Sequence, residues 1–362
     1  MNNGKTKIAI VSYSLGTGGA ERFAGELSFM LKSQNYEVHH IIVNDVVDFP
    51  FCGKLFNLGE HCENDFWLFK KIRKGLLLNE YLENEKIDII VDNRTRNHIL
   101  REFITNLIYK KRKVFYLIHS FFLNNYLPKS VFLARKLYQK SVKIICVSKA
   151  IEKEVIIRYG LKNTTAIYNP VRSILIDTKP EIQYSENYIL FYGRIEDNVK
   201  NFRLLLDAFS QSKIYEYGFQ LVIMGDGDSK GFVQDLVYKL NLTNYIKLIP
   251  FQKNPFAFVK KAKFTVLTSY YEGFPMSIVE SLSLGTPVIS VDCDSGPREI
   301  IVNEKNGLLV ENHSVAKLSE AINRFVHDQE LYRICKENAV ESVAHLSPEK
   351  IAIQWKEILE KS

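Results

Sequence analysis

The sequence predicts an α/β protein made of two doubly wound, parallel-sheet (Rossmann-like) domains facing a central cleft. Three observations carry this. Apolar runs of strand length alternate with helix-compatible segments almost throughout, the pattern of a parallel sheet covered on both faces. The alternation breaks once, near residue 180, and restarts. The segments that carry candidate chemistry fall at strand ends, where ligands sit in such sheets. A length of 362 residues suits two domains.

In chain order, "KIAIVSY" (7–13) reads as the first strand, followed by a glycine turn and a helix from about Ala20 to Ser33. "VHHIIVN" (38–44), "IDIIVDN" (87–93), "KVFYLIH" (113–119) and "KIICVS" (143–148) continue the first sheet. The stretch 170–187 holds two prolines and little periodicity, which marks a linker. "YILFYGR" (188–194), "QLVIMGDG" (220–227), "IKLIPF" (246–251), "KFTVLTS" (263–269), "PVISVD" (287–292) and "GLLVE" (307–311) form the second set. A Ser-Pro-Glu start opens a final helix with an apolar period through Ile351, Ile353, Trp355 and Ile358. The expected boundaries are 1–172 for the N-terminal domain, 173–187 for the linker, 188–345 for the C-terminal domain and 346–362 for the last helix.

Composition narrows the class. Apolar residues make up 46% and charged residues 25%, which is ordinary for a protein with real cores. No apolar run approaches the roughly 20 residues needed to span a bilayer, and the N-terminus enters a strand without a leader, so a cytoplasmic location is expected. The five cysteines are odd in number and scattered, which favours reduced thiols over disulfides or metal ligands. The net charge of +7 is partly clustered in "KKIRK" (70–74), "YKKRK" (109–113), Arg135, Lys136, Lys140 and Lys143. These are either solvated helix faces or a surface for an anionic partner. No nucleic-acid motif accompanies them, which ranks a membrane surface above nucleic acid.

Five segments carry candidate chemistry. In "SYSLGTGGAER" (12–22), Gly16, Gly18 and Gly19 precede a helix whose free N–H groups suit an anionic or sugar ligand, unless the turn is merely flexible. Glu21 stands where a dinucleotide fingerprint needs its third glycine. That weakens the nicotinamide reading, although Asp45 ends the second strand. In "FYGRIEDNVKN" (191–201), Arg194 and Lys200 suit a diphosphate or are surface charge. "GDGDS" (225–229) and "DCD" (292–294) are short Asp-x-Asp matches of the kind that arise by chance, and no metal site is expected from them. His119 ends a buried strand, either as a satisfied rim residue or as a group facing the cleft. Lastly, "SYYEGFPMSIVESLSLGTPVIS" (269–290) places Glu272 in a turn and Glu280 inside an apolar helix, where packing alone gives a carboxylate no purpose.

The combination of "GGAER", Gly193-Arg194 with Lys200, and "EGFPMSIVE" running into "GTPVIS" resembles glycosyltransferase family 4, whose members have the GT-B fold. "VSKAI" (147–151), "NPV" (169–171), "GPREII" (296–301) and "NGLLV" fit as well, so the resemblance covers nearly the whole chain. It implies a retaining, metal-independent transfer of a hexose from a nucleotide diphosphate-sugar, UDP-sugar favoured. Glu272 would touch hydroxyls of the donor sugar and Glu280 the ribose hydroxyls. Backbone N–H groups of Gly273 and Phe274, with Arg194 and Lys200, would meet the diphosphate. Gly16, Gly18 and Gly19 would close on the donor from the first domain, and Gly225, Pro250 and Phe251 complete the donor-binding set, the base lying near 249–252. His119 would face the donor sugar. His119, Arg194, Lys200 and Glu272 form the implied catalytic group, and no cofactor is implied.

The same resemblance points to surface-polysaccharide or lipid-linked oligosaccharide assembly, with a glycan or polyprenyl-diphosphate acceptor handled by the first domain. The basic runs and "FFLNNYLPKSVFLARK" (121–136) lie there, which suggests peripheral contact with the anionic inner face of the cytoplasmic membrane. The last helix would cross back to the first domain. The competing readings are a GT-B sugar-nucleotide epimerase, a non-catalytic nucleotide-sugar binding protein and, more distantly, a dehydrogenase.

Overall fold

Continuous burial on both faces is what turns the short apolar runs into central strands. In Lys7–Ser12, for example, every residue after Lys7 is buried. A computed structural model describes residues 5–16, 18–63, 67–171 and 187–361. The elements run β1 (Lys7–Ser12), α1 (Gly19–Ser33), β2 (Glu37–Ile42), β3 (Lys54–Asn57), α2 (Trp67–Asn84), β4 (Ile89–Asp92), α3 (Ile99–Tyr109), β5 (Lys113–Ile118), α4 (Val131–Tyr138), β6 (Lys143–Cys146), α5 (Lys149–Tyr159) and β7 (Thr164–Ala166). They continue as β8 (Tyr188–Tyr192), α6 (Asp197–Lys200), α7 (Phe202–Ser212), β9 (Gln220–Met224), α8 (Lys230–Lys239), β10 (Ile246–Ile249), α9 (Phe256–Lys261), β11 (Thr265–Leu267), α10 (Met276–Ser283), β12 (Val288–Val291), α11 (Pro297–Ile300), β13 (Gly307–Val310), α12 (Val315–His327), α13 (Gln329–Ser342) and α14 (Pro348–Glu360).

The chain divides into two compact units, Met1–Pro170 with Pro348–Ser362, and Val171–Ser347. The first holds a seven-stranded sheet in the order β3-β2-β1-β4-β5-β6-β7, the second a six-stranded sheet in the order β10-β9-β8-β11-β12-β13. All pairings are parallel. Both units thus follow the doubly wound order 3-2-1-4-5-6, and the first adds a seventh strand. The order reverses between β1 and β4 in one sheet and between β8 and β11 in the other, so the carboxyl ends of those strands are the natural ligand positions.

Sequence reading misses β3 and β7, the two edge strands of the first sheet. Lys54 and Leu55 are exposed and β7 has three residues, so neither shows a continuous apolar run. Strand ends read as 194 and 227 fall at Tyr192 and Met224, because Gly193 and Gly225 adopt φ of +147° and +153°. At Gly225 a Cβ would collide with the carbonyl oxygen of Gly193, so the missing side chain lets the two strand-end loops touch. The linker expected at 173–187 lies outside the described residues except for Asn187. In α14 the buried stripe is Ile351, Ala352, Trp355 and Leu359, not the expected one through Ile353 and Ile358. Spacing by four keeps to one helix face, and Ile353 is exposed. Helix α14 belongs to the first unit, where the Trp355 ring lies 6.4 Å from Phe23 of α1.

Candidate functional site

In the second unit, four strand ends and one helix start carry the expected groups. After β11, Thr268 Oγ1 donates to the carbonyl of Lys200 at 2.7 Å, and Tyr270 N–H donates to Val199 at 2.8 Å. These bonds fix the end of α6 against the loop that carries Glu272. Lys200 Nζ then meets Glu272 Oε1 at 2.6 Å, and Ser269 Oγ donates to the same oxygen at 2.6 Å. Two residues 72 positions apart in sequence form one ion pair with both side chains largely buried. Burial pushes the adjacent Cys293 thiol up to about 12, and Glu272 adds to the shift, so this thiol stays protonated beside the pair.

Glu272 leads into a rigid bend. Ser295 Oγ donates to the Gly273 carbonyl at 2.8 Å, and Tyr192 Oη from the end of β8 donates to the Ser277 carbonyl at 2.7 Å. Phe274 is buried, and Glu280 is buried in the middle of α10 at 5% exposure. After β8, Arg194 reaches Glu196 at 3.2 Å and keeps half its side chain in solvent. Gly225 packs on Gly193, and the next residue, Asp226, accepts from Phe251 N–H at 2.9 Å and from Lys230 at 2.7 Å. Phe251 thereby projects from the end of β10 with its ring exposed, next to exposed Pro250. The Asp-x-Asp segments have internal partners: Lys230 takes Asp226, and Arg298 takes both oxygens of Asp292 through its Nε and Nη2.

In the first unit, Gly18 caps α1 and Gly19 opens it. A Cβ at 16 would run into the Val46 side chain, whereas at 18 it would meet the end of the Glu21 side chain, which can swing away. Only at Gly19 would a Cβ meet open space. Asp45, the residue that left a dinucleotide reading alive, accepts a hydrogen bond from Asn57 Nδ2 at 2.6 Å. His119 follows β5 and touches Asn93, which follows β4, at 2.6 Å between Nε2 and Oδ1. Asn93 uses its Nδ2 to donate to the Ala20 carbonyl at 2.8 Å and Ser12 Oγ at 3.3 Å. Its Oδ1 must therefore accept, which puts the histidine proton on Nε2 and leaves Nδ1 as an acceptor. Burial, with the Arg96 charge adding, pushes His119 down to about 3, so the ring is neutral near pH 7. The Phe23 ring packs against it edge-on at 5.3 Å.

Sequence reading passed over "DNRTR" (92–96), the constellation beside His119. Asp92, fully buried, holds Arg94 in a two-pronged bond at 3.1 and 2.6 Å. Burial alone would raise the Asp92 carboxyl, but the Arg94 charge holds it below its ordinary value. Arg96 is buried among Tyr116, Tyr126 and Tyr138 at 4.9–5.6 Å and donates to the carbonyls of Arg94 and Leu117 at 2.9 Å. The available signal was two arginines within four residues of a fully apolar strand, where exposed charge is not expected.

Several motif residues prove structural. Ser148 caps α5 through Ile151 N–H at 3.2 Å, and Pro297 opens α11. Asn306 bridges Val302 N–H and the Ile300 carbonyl at 2.9 and 3.0 Å. Among the described residues, Glu37, His39 and Glu85 cluster at metal-ligand spacing, but Lys54 reaches both carboxylates at 3.2 and 3.0 Å, and Tyr81 and Glu37 take the two ring nitrogens of His39.

Comparison with known proteins matches this arrangement. The profile described as Glycosyltransferase Family 4 covers residues 17–173, and that described as Glycosyl transferases group 1 covers 174–342. The N-acetylgalactosamine-N,N'-diacetylbacillosaminyl-diphospho-undecaprenol 4-alpha-N-acetylgalactosaminyltransferase of Campylobacter jejuni is 28% identical over 370 residues, spanning 96% of this chain and 97% of its own. S. aureus TarM has the same fold at a TM-score of 0.81 and 16% identity, over 98% of this chain and 99% of its own. Anabaena HepE, solved with UDP-glucose, gives 0.77 at 18% identity over 98% and 100%. With consecutive family profiles running from residue 17 to 342 and the doubly wound order in both units, the chain belongs to glycosyltransferase family 4 and has the GT-B fold.

Proposed function

We propose that the chain moves a hexose from a nucleoside-diphosphate sugar, with UDP-sugar preferred, to a glycan or polyprenyl-diphosphate-linked acceptor in cell-surface polysaccharide assembly. The transfer retains anomeric configuration and needs no metal. The observation that carries this reading is the Lys200–Glu272 pair at the switch point of the second sheet, with Glu280 buried on the helix that follows.

In this reading Glu280 accepts from the ribose hydroxyls, and Phe251 and Pro250 line the base. Arg194, Lys200 and the N–H groups of Gly273 and Phe274 meet the diphosphate. As the bond from the anomeric carbon to the phosphate oxygen breaks, charge grows on that oxygen, and fixed cations stabilise it without reorganising. The acceptor hydroxyl adds from the same face and passes its proton to the departing phosphate oxygen. Glu272 holds the sugar hydroxyls and keeps Lys200 in place. His119, neutral with its proton fixed on Nε2, offers Nδ1 to a sugar hydroxyl and does not act as a base. The pairing of Asp226 and Asp292 with cations supports a metal-free site. The diphospho-undecaprenol acceptor in the Campylobacter enzyme's name, and UDP-glucose in HepE, support the substrate classes. A cytoplasmic place with peripheral contact to an anionic membrane completes the proposal.

The test is release of nucleoside diphosphate from a panel of UDP-, GDP- and ADP-sugars, with and without EDTA, followed by anomeric assignment of the product by NMR. UDP release indifferent to EDTA and a product of unchanged configuration are expected. Release abolished by EDTA, or an inverted product, would overturn the proposed mechanism.

A further inference from the structure

Helix α3 is amphipathic in the wrong direction for a surface helix. Its buried side carries Glu102, Thr105 and Tyr109. The polar groups there have internal work: Glu102 takes Arg101 at 3.0 Å, and Tyr109 Oη donates to Asp92 at 3.3 Å. Leu100, Ile104 and Leu107, spaced by four and three, lie on the opposite side, with Leu100 76% and Leu107 73% exposed. The buried polar cluster beside β4 takes the inner face of α3, and its apolar stripe is left outside. An exposed apolar stripe of this kind marks an interaction surface.

Neighbouring helices extend it. Gly75 of α2 faces the Ile108 side chain of α3, and exposed Ile72 and Leu76 flank that glycine on α2. Helix α4 meets α3 where Lys136 Nζ lies 5.5 Å over the Phe103 ring, and it adds Phe132 at 73% exposure. Cations border the apolar residues: exposed Lys71 and Arg73 on α2, Lys110 and Lys111 just past α3, and Lys136 on α4. Two exposed carboxylates lie on this part of α2: Glu83, matched by Lys111 and Arg112 at 3.3 and 3.2 Å, and Glu80, one turn past Leu76, which the bordering cations outnumber.

We propose that this face docks the chain on a bilayer containing anionic phospholipid, with Leu100, Ile104, Leu107, Ile72, Leu76 and Phe132 entering the interfacial layer and the bordering cations meeting headgroup phosphates. Charge selects this occupant. A second copy of the same face would set lysines against lysines, whereas an anionic lipid surface complements both the cations and the apolar stripe. The inference deepens the membrane contact proposed above and rests on that reading for its purpose, while its test uses no sugar. It replaces purely electrostatic attachment with shallow insertion.

The test is co-sedimentation of the full chain with phosphatidylcholine vesicles, with and without phosphatidylglycerol. Binding is expected only with phosphatidylglycerol, and added salt should weaken it without abolishing it. The combined Leu100→Ser, Ile104→Ser and Leu107→Ser variant keeps every charge and should bind at least about tenfold more weakly. Lys71→Glu with Lys110→Glu should also weaken binding. Thermal melting and nucleoside diphosphate release with a water-soluble acceptor should be unchanged in both, which separates docking from catalysis; if neither protein turns over, the vesicle result still stands. Unchanged vesicle binding by the triple serine variant would overturn insertion. A wild-type dimer that the same variant dissolves would overturn the lipid assignment.

Discussion

The two units share a strand order and differ in where they keep their charge. Beside the candidate site the first buries it: Asp92, Arg94, Arg96 and Glu102 are packed at the end of β4 and along α3, next to the half-buried, neutral ring of His119. The second leaves Arg194 half in solvent and draws Lys200 with Glu272, and Glu280, inward. The helix surfaces differ in the same sense. Helix α12 of the second unit buries Leu318, Ile322 and Phe325 in the usual way, whereas α3 of the first turns its leucines outward. A buried charge network holds a fixed geometry and fixed protonation, but it takes over the inner face of the helix that covers it. Accessible cations stay ready for an anionic ligand. The first unit therefore supplies a preset scaffold and an exposed apolar face, and the second supplies charge that a ligand can claim.

The contrast breaks most visibly at Asp92. Asp92→Ala strands the Arg94 guanidinium in the interior and should cost about 3–5 kcal/mol. Both tryptophans, Trp67 and Trp355, belong to the first unit, so urea unfolding followed by tryptophan fluorescence reads that unit alone. A loss under about 1 kcal/mol would mean that the network is not the scaffold described. In the second unit, Lys200→Ala leaves Glu272 with Ser269 and some solvent contact, so it should cost less stability than Asp92→Ala while lowering turnover by about 10²–10³-fold, the range for losing one group that stabilises transition-state charge. An equal fall in stability and rate would make the pair structural.

Glu280→Ala should weaken nucleotide binding by roughly tenfold to a hundredfold, since a hydrogen bond involving a charged partner is worth about 1.5–3 kcal/mol. Calorimetry with free UDP reads this directly, and an unchanged affinity would remove Glu280 from the ribose. A separate effect is on pH. Burial pushes His40 down to about 4 and His119, with Arg96 adding, to about 3. Among the described residues neither ring nitrogen of His40 has a hydrogen-bond partner. Both folded values lie below the unfolded one, so the unfolded chain takes up the proton first. Their contribution to stability is complete above about pH 6.5 and falls as the pH drops towards the folded values, by about 1.4 kcal/mol per pH unit for each ring. His40→Leu should flatten the first unit's stability over that range, with the second unit's melting unaffected. An unchanged slope would show that His40 does not titrate as described.

Sequence legibility followed the same divide. The second unit's motif was readable because Glu272, Gly273, Phe274 and Glu280 are local, and a carboxylate inside an apolar helix has no packing role. The first unit's site was half legible. His119 stood out at a strand end, but Asn93 and "DNRTR" passed for the ordinary end of another strand. Their meaning needs β4 beside β5, which no local pattern states. The edge strands β3 and β7 were missed because a strand buried on one side and short in length lacks the continuous apolar run that marks a central one.

By itself the sequence determined the alternation of strand and helix and the two-domain plan, and it singled out the charged candidates of the second unit, because these depend on periodicity and residue type within a few turns of chain. Only the tertiary structure decided that Lys200 and Glu272 are partners, that Asn93 fixes the His119 proton, that Gly225 lies against the Gly193 carbonyl, and that α3 faces outward with its leucines. Each of these depends on which strand lies beside which, and the cost of burying charge without a partner settles that across distances that local pattern does not span.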